Sequence, residues 1–306
     1  MSDAFASSSA SFSSSPSASP EPPELQGVPA AQIAHALELL EQADLLLVAA
    51  GAGMGVDSGL PDFRGREGFW RAYPALARAS LSFQHIANPL AFERQPRLAW
   101  GFYGHRLQLY RQTQPHAGFD ILRRWGERLP LGLAVFTSNV DGQFQKAGYA
   151  PELLHECHGS IHHLQCLAGC GQAIWPADDF EPEVDAEACL LLNAAPVCPR
   201  CGGLARPNIL MFGDWSWQDE RSAEQGERLQ ALLARARRPL VIEIGAGSDV
   251  PSVRHFSHRV IQHQQGRLLR INPREPQVPS DMDLGLAHAA LAVLQALDGA
   301  GAGAGA

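Results

Sequence analysis

The chain reads as an α/β protein: a doubly wound parallel sheet with a smaller cysteine-tied lobe and a helical insertion. Three observations predict this. Mostly apolar runs of strand length alternate with longer stretches of helical period. The first such run, Leu45–Ala50, leads straight into a glycine-rich turn. Two cysteine pairs sit together in a segment without a helical period.

The elements follow in order. Ala30–Gln42 carries helical spacing, and Leu45–Ala50 is apolar on both faces, as a buried parallel strand must be. Leu131–Phe136, Pro239–Ile244 and Leu268–Ile271 repeat the strand signature, while Arg94–Gln112, His116–Arg128, Asp219–Arg237, Val253–Gln264 and Leu284–Leu297 read as helices. The strands end in Thr137-Ser138-Asn139-Val140-Asp141, Gly245-Ala246-Gly247-Ser248 and Asn272-Pro273. Ligands of open parallel sheets bind outside the carboxyl ends of the strands, so these polar clusters converge on one rim. Residues 66–114 are rich in aromatics and read as a helical insertion, either ordinary core or the wall of an apolar channel.

Composition bounds the function. A 306-residue chain with 45% hydrophobic and 18% charged residues can bury a full core. The net charge of −8 argues against a general nucleic-acid binder, which needs a basic face. Residues 1–28 are a Ser/Ala/Pro tail with too little apolar surface to offset chain entropy, so disorder is expected there, and 299–306 read as a flexible Gly/Ala end. No basic-plus-apolar leader and no membrane-length apolar run occurs, so a cytoplasmic location and no membrane contact are expected. The six cysteines then point to metal or reduced thiols.

The turn after the first strand runs from Gly51 to Arg64, GAGMGVDSGLPDFR. Glycines there let phosphates approach backbone N–H groups and permit φ > 0. On its own the glycine spacing is only a strand-to-helix turn. The added Pro61-Asp62-Phe63-Arg64 goes beyond a plain dinucleotide turn.

Cys166-x₃-Cys170 and Cys198-x₂-Cys201 are thiolate pairs followed by glycines. Such a set suits a tetrahedral structural zinc with no open coordination position, hence no chemistry of its own. Cys157 and Cys189 lie outside the pattern and read as ordinary buried thiols.

The glycine turn, the TSNVD strand end, His155-Glu156-Cys157-His158-Gly159-Ser160, the cysteine pairs and RPNILMFGD occur in sirtuin order, and the chain resembles the sirtuin family of NAD-dependent protein-lysine deacylases over about residues 30–297. The resemblance implies a Rossmann-like NAD-binding domain formed by 29–160 and 207–298, with a Cys₄ zinc-binding domain at 161–206. It implies that Gly51, Ala52 and Gly53 cradle the pyrophosphate and that Asp62, Phe63 and Arg64 lie on a cofactor loop, Phe63 shielding the reactive sugar carbon. Ser138, Asn139 and Asp141 would line the nicotinamide–ribose pocket, and Gly245, Ser248 and Asn272 the adenosine half. His158, with Asn139 and Asp141, forms the implied catalytic set, His158 as general base. The implied products from an acyl-lysine protein or peptide and NAD are free lysine, nicotinamide and O-acyl-ADP-ribose. A histidine base suits a sugar hydroxyl at neutral pH; His155, His162 and His163 are neighbouring competitors for that role.

The chain departs from the family at Ser138, where Gln is usual, and at Gly55, where Ser is usual. Tyr103 and Arg106 match the Tyr-x-x-Arg of sirtuins that remove succinyl and related acidic acyl groups. At i and i+3 they share a helix face, and a phenol with a guanidinium can bind a carboxylate. An NAD hydrolase or ADP-ribosyltransferase is the alternative within this fold. A hydride-transferring dehydrogenase would need a full G-x-G-x-x-G with a distant acid, and a bare zinc-ribbon binding module fits the acidic balance poorly.

Overall fold

The structure is a computed structural model and describes residues 28–62, 69, 71 and 73–304. The expectations for the tail at 1–27 and for Phe63, Arg64 and 305–306 lie outside the described residues.

Strands β1 (Leu45–Ala50), β2 (Leu133–Thr137) and β3 (Leu154–Glu156) come first. The smaller lobe holds β4 (Gly159–Cys166), β5 (Trp175–Pro176), β6 (Val184–Asp185), β7 (Leu190–Leu191) and β8 (Ala205–Ile209). The chain then returns as β9 (Pro239–Ile244), β10 (Arg267–Ile271) and β11 (Leu284–Leu286). The large sheet is six-stranded in the order β11-β10-β9-β1-β2-β3, with every pair parallel. Val48 of β1 pairs with Val135 on one side and Ile242 on the other.

Alternation along β1 builds two cores. Leu46, Val48 and Ala50 face a core completed by Leu39, Phe119, Leu122, Trp125, Val293 and Leu294. Leu45, Leu47 and Ala49 face another completed by Leu229, Leu233, Val253, Phe256 and Val260. Helices therefore cover both faces, which is what a doubly wound sheet requires. Phe136 and Phe256 stack with centroids 3.8 Å apart in the second layer. Within that sheet Glu243 and its register partner Arg270 form a buried ion pair at 2.6 Å, and Arg270 also meets His258 at 3.1 Å. Burying this pair is tolerable only because both charges are paired and hydrogen-bonded.

A further core lies between the insertion and the lobe. Phe92, Trp100, Tyr103 and Leu107 pack with Ile161, Leu164, Cys189, Leu191, Ile209 and Met211. The helix Pro96–Gln112 approaches β7 so closely that a Cβ on Gly101 would fall 2.1 Å from the Cys189 carbonyl oxygen. Trp100 Nε1 donates to the Ala205 carbonyl at 3.0 Å.

Several expectations are corrected. Arg94–Gln112 is not one helix: Pro89–Arg94 ends before Gln95, and a new helix begins at Pro96, whose ring cannot continue the first. Leu284–Leu297 begins as the edge strand β11, and the helix Ala290–Ala304 starts only afterwards. That helix runs on through residues 299–304, expected as a flexible end. Alanine carries it, and its Gly301 lies beside Leu37 of the first helix. β3, three residues long, escapes any periodicity. Among the described residues no helix is long and apolar enough to cross a membrane.

Candidate active site

A cavity of about 780 Å³ opens at the carboxyl ends of β1, β2 and β9, against the lobe and the insertion. Gly51, Ala52, Asp62, Tyr103, Arg106, Ser138, Asn139, Asp141 and His158 all line it. Gly53, Gly245 and Asn272 line a smaller adjoining cavity of about 250 Å³, together with Asp62 and Arg274. Ser248 is exposed and lines neither.

The glycine turn forms the 3₁₀ segment Ala52–Ser58. Gly53 N–H donates to Gly245 O at 3.1 Å, and a Cβ on Gly53 would meet Gly245 Cα at 2.6 Å. Gly245 itself sits at φ 61°. The two glycines thus let the β1 and β9 ends touch backbone to backbone, leaving a cradle without side chains where the strands stop.

Asn139 is fixed at both ends. Its N–H donates to Thr137 Oγ1 and its Nδ2 to Gly51 O, each at 3.0 Å. Asp141 is buried, and burial pushes its carboxyl up to about 6. Its Oδ1 accepts from Gln143 N–H at 3.0 Å. Asn272 is wholly buried; Nδ2 donates to Ala246 O at 2.7 Å while Oδ1 accepts from Arg274 and Glu275 N–H at 3.0 and 3.1 Å. Its side chain ties the loop after β9 to the loop after β10.

His158 lies between β3 and β4. Burial lowers its imidazole below the ordinary 6.5, so the ring is neutral near pH 7. The ring hydrogen-bonds the Ser138 backbone, which opposes that shift, and Nε2 lies 3.1 Å from Ser252 Oγ. His155, His162 and His163 do not line the cavity; His162 Nε2 is bound to the Asp141 carbonyl at 3.0 Å. No sequence signal marked Ser252, because Pro251-Ser252 reads as an ordinary helix start.

Tyr103 and Arg106 are both buried on the Pro96–Gln112 helix. Burial pushes the Tyr103 phenol up to about 12, so it stays a donor. The Arg106 guanidinium sits 5.3, 5.8 and 5.4 Å from the Phe102, Tyr103 and Tyr110 ring centroids. Its Nε and Nη2 donate to Tyr110 Oη at 3.0 and 2.7 Å. Tyr110 also lines the cavity and was missed, since only the i, i+3 pair carried the resemblance. The rim beyond is apolar, with Leu60, Phe83, Phe212 and Val250.

The four paired cysteines meet in space. Their sulfurs all lie within 4.8 Å of one another, with Cys166–Cys201 at 3.7 Å and Cys170–Cys198 at 3.5 Å. A tetrahedron of thiolates at the usual Zn–S length has edges of about 3.8 Å, whereas a disulfide needs about 2.05 Å. The donor set therefore fits zinc. Cys189 is buried and Cys157 half-buried, both apart from the cluster.

The parallel sheet, the glycine cradle at its rim, the histidine facing it and the four-cysteine lobe define an NAD-type deacylase architecture, and comparison with known proteins agrees. The Sir2 family profile matches residues 51–234. An NAD-dependent protein deacylase of Aquifex aeolicus is 33% identical over 78% of this chain and 87% of its own length. The one from Pyrococcus furiosus is 28% identical over 77% of this chain and 84% of its own. A solved Sir2 homologue–NAD complex has the same fold, with TM-score 0.65 and 24% identity, covering 88% of this chain and 93% of that one. The chain belongs to the Sir2 family.

Proposed function

We infer that this chain is an NAD-dependent protein deacylase that acts on acyl-lysine side chains, with zinc held by Cys166, Cys170, Cys198 and Cys201. The observation that carries the reading is the convergence of Gly51, Asn139, Asp141 and His158 on one cavity with an apolar rim. Bound NAD supplies the sugar carbon from which nicotinamide leaves.

Each side chain then has a physical task. The bare backbone around Gly51–Gly53 and Gly245 admits the pyrophosphate. Asn139, pinned by Gly51 O, offers a fixed amide at the sugar. Asp141 lies deep in the same wall, with its carboxyl pushed up by burial. His158, neutral near pH 7, accepts the proton of a sugar hydroxyl at a ring nitrogen. Leu60, Phe83, Phe212 and Val250 limit water at the reacting centre, which would otherwise divert the reaction to plain NAD hydrolysis.

The acyl chain enters beside Tyr103 and Arg106. A buried guanidinium and a protonated phenol favour a terminal carboxylate, which supports succinyl-type groups alongside acetyl.

The test is mass spectrometry of acetyl- and succinyl-lysine peptides incubated with NAD, for wild type and His158→Ala. The reading expects deacylated peptide and O-acyl-ADP-ribose from wild type, and a rate lower by about 10²–10⁴-fold in the variant. Nicotinamide release that ignores the peptide would instead point to the hydrolase or ADP-ribosyltransferase alternative.

A further inference from the structure

Arg254 is the third residue of the helix Ser252–His263 and lines neither cavity. Its guanidinium spans the loops after β9 and β10. Nε and Nη2 donate to the Ala246 carbonyl at 3.3 and 3.1 Å, and Nη2 also donates to the Glu275 carbonyl at 2.8 Å. Asn272 Nδ2 is the other donor to Ala246 O. Burial disfavours the Arg254 charge, and the Glu243 and Glu275 carboxylates, at 4.0 and 3.1 Å, offset that.

Holding a carbonyl also aims the next amide. A trans peptide is planar, so the N–H of Gly247 points opposite to the C=O of Ala246. With Ala246 O drawn toward Arg254 and Asn272, the Gly247 N–H is turned away from both. Gly247 lines the large cavity, and among the described residues no protein oxygen accepts from its N–H. A backbone donor left unspent at a cavity wall calls for an acceptor from a ligand or from water.

We propose that Arg254 is a positioning residue for the dinucleotide: its grip on the Ala246 carbonyl aims the Gly247 N–H at a phosphate or ribose oxygen of NAD. The inference rests on the reading of this cavity as the NAD site.

The loop needs such a grip because of its own composition. Gly245 and Gly247 flank Ala246, and Gly245 already sits at φ 61°. Glycines populate both signs of φ, so the plane between Ala246 and Gly247 turns easily unless something outside the loop fixes it. Arg254 does this from a helix packed on the sheet through Val253, Phe256 and Val260. An arginine suits the task because its fork meets two carbonyls at once, where a lysine brings one point charge.

The experiment compares full-length wild type with Arg254→Met and Arg254→Lys, using ADP-ribose as the binding probe. Methionine keeps an apolar stem of similar reach, and a thermal melt of each variant reports that it is folded. Arg254→Met should weaken ADP-ribose binding by calorimetry on the order of fivefold, since Asn272 keeps one hold on Ala246 O. KM for NAD should rise in step, while kcat and KM for the acyl peptide change less than about twofold. Arg254→Lys should recover part of the loss. In ¹⁵N-labelled wild type, ADP-ribose should move the Gly247 amide proton downfield, and in Arg254→Met that shift should shrink. Unchanged ADP-ribose affinity in Arg254→Met, a loss shared equally by the peptide, or a Gly247 amide that ADP-ribose leaves unmoved in wild type would each overturn the proposal. Wild type that binds ADP-ribose but does not deacylate would sink the deacylase reading alone, and the affinities and the Gly247 shift would still decide the role of Arg254. Wild type that does not bind ADP-ribose would sink the NAD reading and this proposal with it.

Discussion

Asp62, on the segment that follows the glycine turn, is ion-paired with Arg274, two residues past Asn272. Asp62 lines both cavities and Arg274 the smaller one. The pair therefore ties the segment after the glycine turn to the turn after β10. It is partly solvated, with side-chain exposures of 61% for Arg274 and 26% for Asp62, so its worth is below about 1 kcal/mol. Arg274→Ala should raise KM for NAD by up to about fivefold and leave KM for the acyl peptide unchanged. Steady-state kinetics with each substrate varied in turn checks this, and an effect on the peptide alone would refute it.

Gly53→Ala should be more damaging. Its Cβ would press on Gly245 backbone, not on a side chain that can swing aside. Overpacking of this kind costs about 1–3 kcal/mol, and the displaced strand ends line both cavities, the cradle proposed for NAD. Thermal melting should report lowered stability, and saturation with NAD should recover little of it. A variant that melts and binds NAD like wild type would show that the two strand ends separate at no cost.

The pH profile of deacylation should carry an acid limb with its midpoint below 6.5. The base works only when neutral, and burial holds the folded-state value of His158 under that of free imidazole. Activity therefore rises with pH through that lower value. A limb in kcat/KM centred above the free-imidazole value would mean that some other group is titrating.

Acyl selectivity should divide at Arg106. Arg106→Met keeps an apolar stem of similar length among the Phe102, Tyr103 and Tyr110 rings but removes the charge. Desuccinylation should fall at least about a hundredfold, the worth of a buried bidentate pair, while deacetylation persists. Equal losses for both peptides would leave Arg106 a packing residue.

Much of this architecture is legible in the sequence alone. Leu45–Ala50 and Pro239–Ile244 are readable as strands to the residue, because burial on both faces leaves a run that is apolar throughout in the first and apolar but for Glu243 in the second. The four cysteine ligands are readable because metal geometry dictates their spacing. What escapes is set by tertiary contact. Leu284–Leu286 looks helical together with residues 287–297, and only pairing to β10 makes it a strand. Tyr110 and Ser252 each bring one hydroxyl to Arg106 and His158, contacts that no motif in the sequence marks. Ser248 is exposed and lines neither cavity, an orientation that a motif position alone does not foretell.

Zinc removal should be felt first as lost stability. A chelator, or Cys170→Ser, should release about one zinc per chain by elemental analysis and lower Tm on the order of 10 °C. Full retention of Tm after metal loss would mean that the lobe stands without its staple.

The helix Pro96–Gln112 leans on the lobe through Trp100 and Gly101 while presenting Tyr103 and Arg106 to the cavity. On the proposed reading, a thiol oxidant that unlatches the cysteine knot would reach the acyl end of the reaction before the nucleotide end. Partial oxidative damage should make this protein less choosy about its substrates well before it stops consuming them.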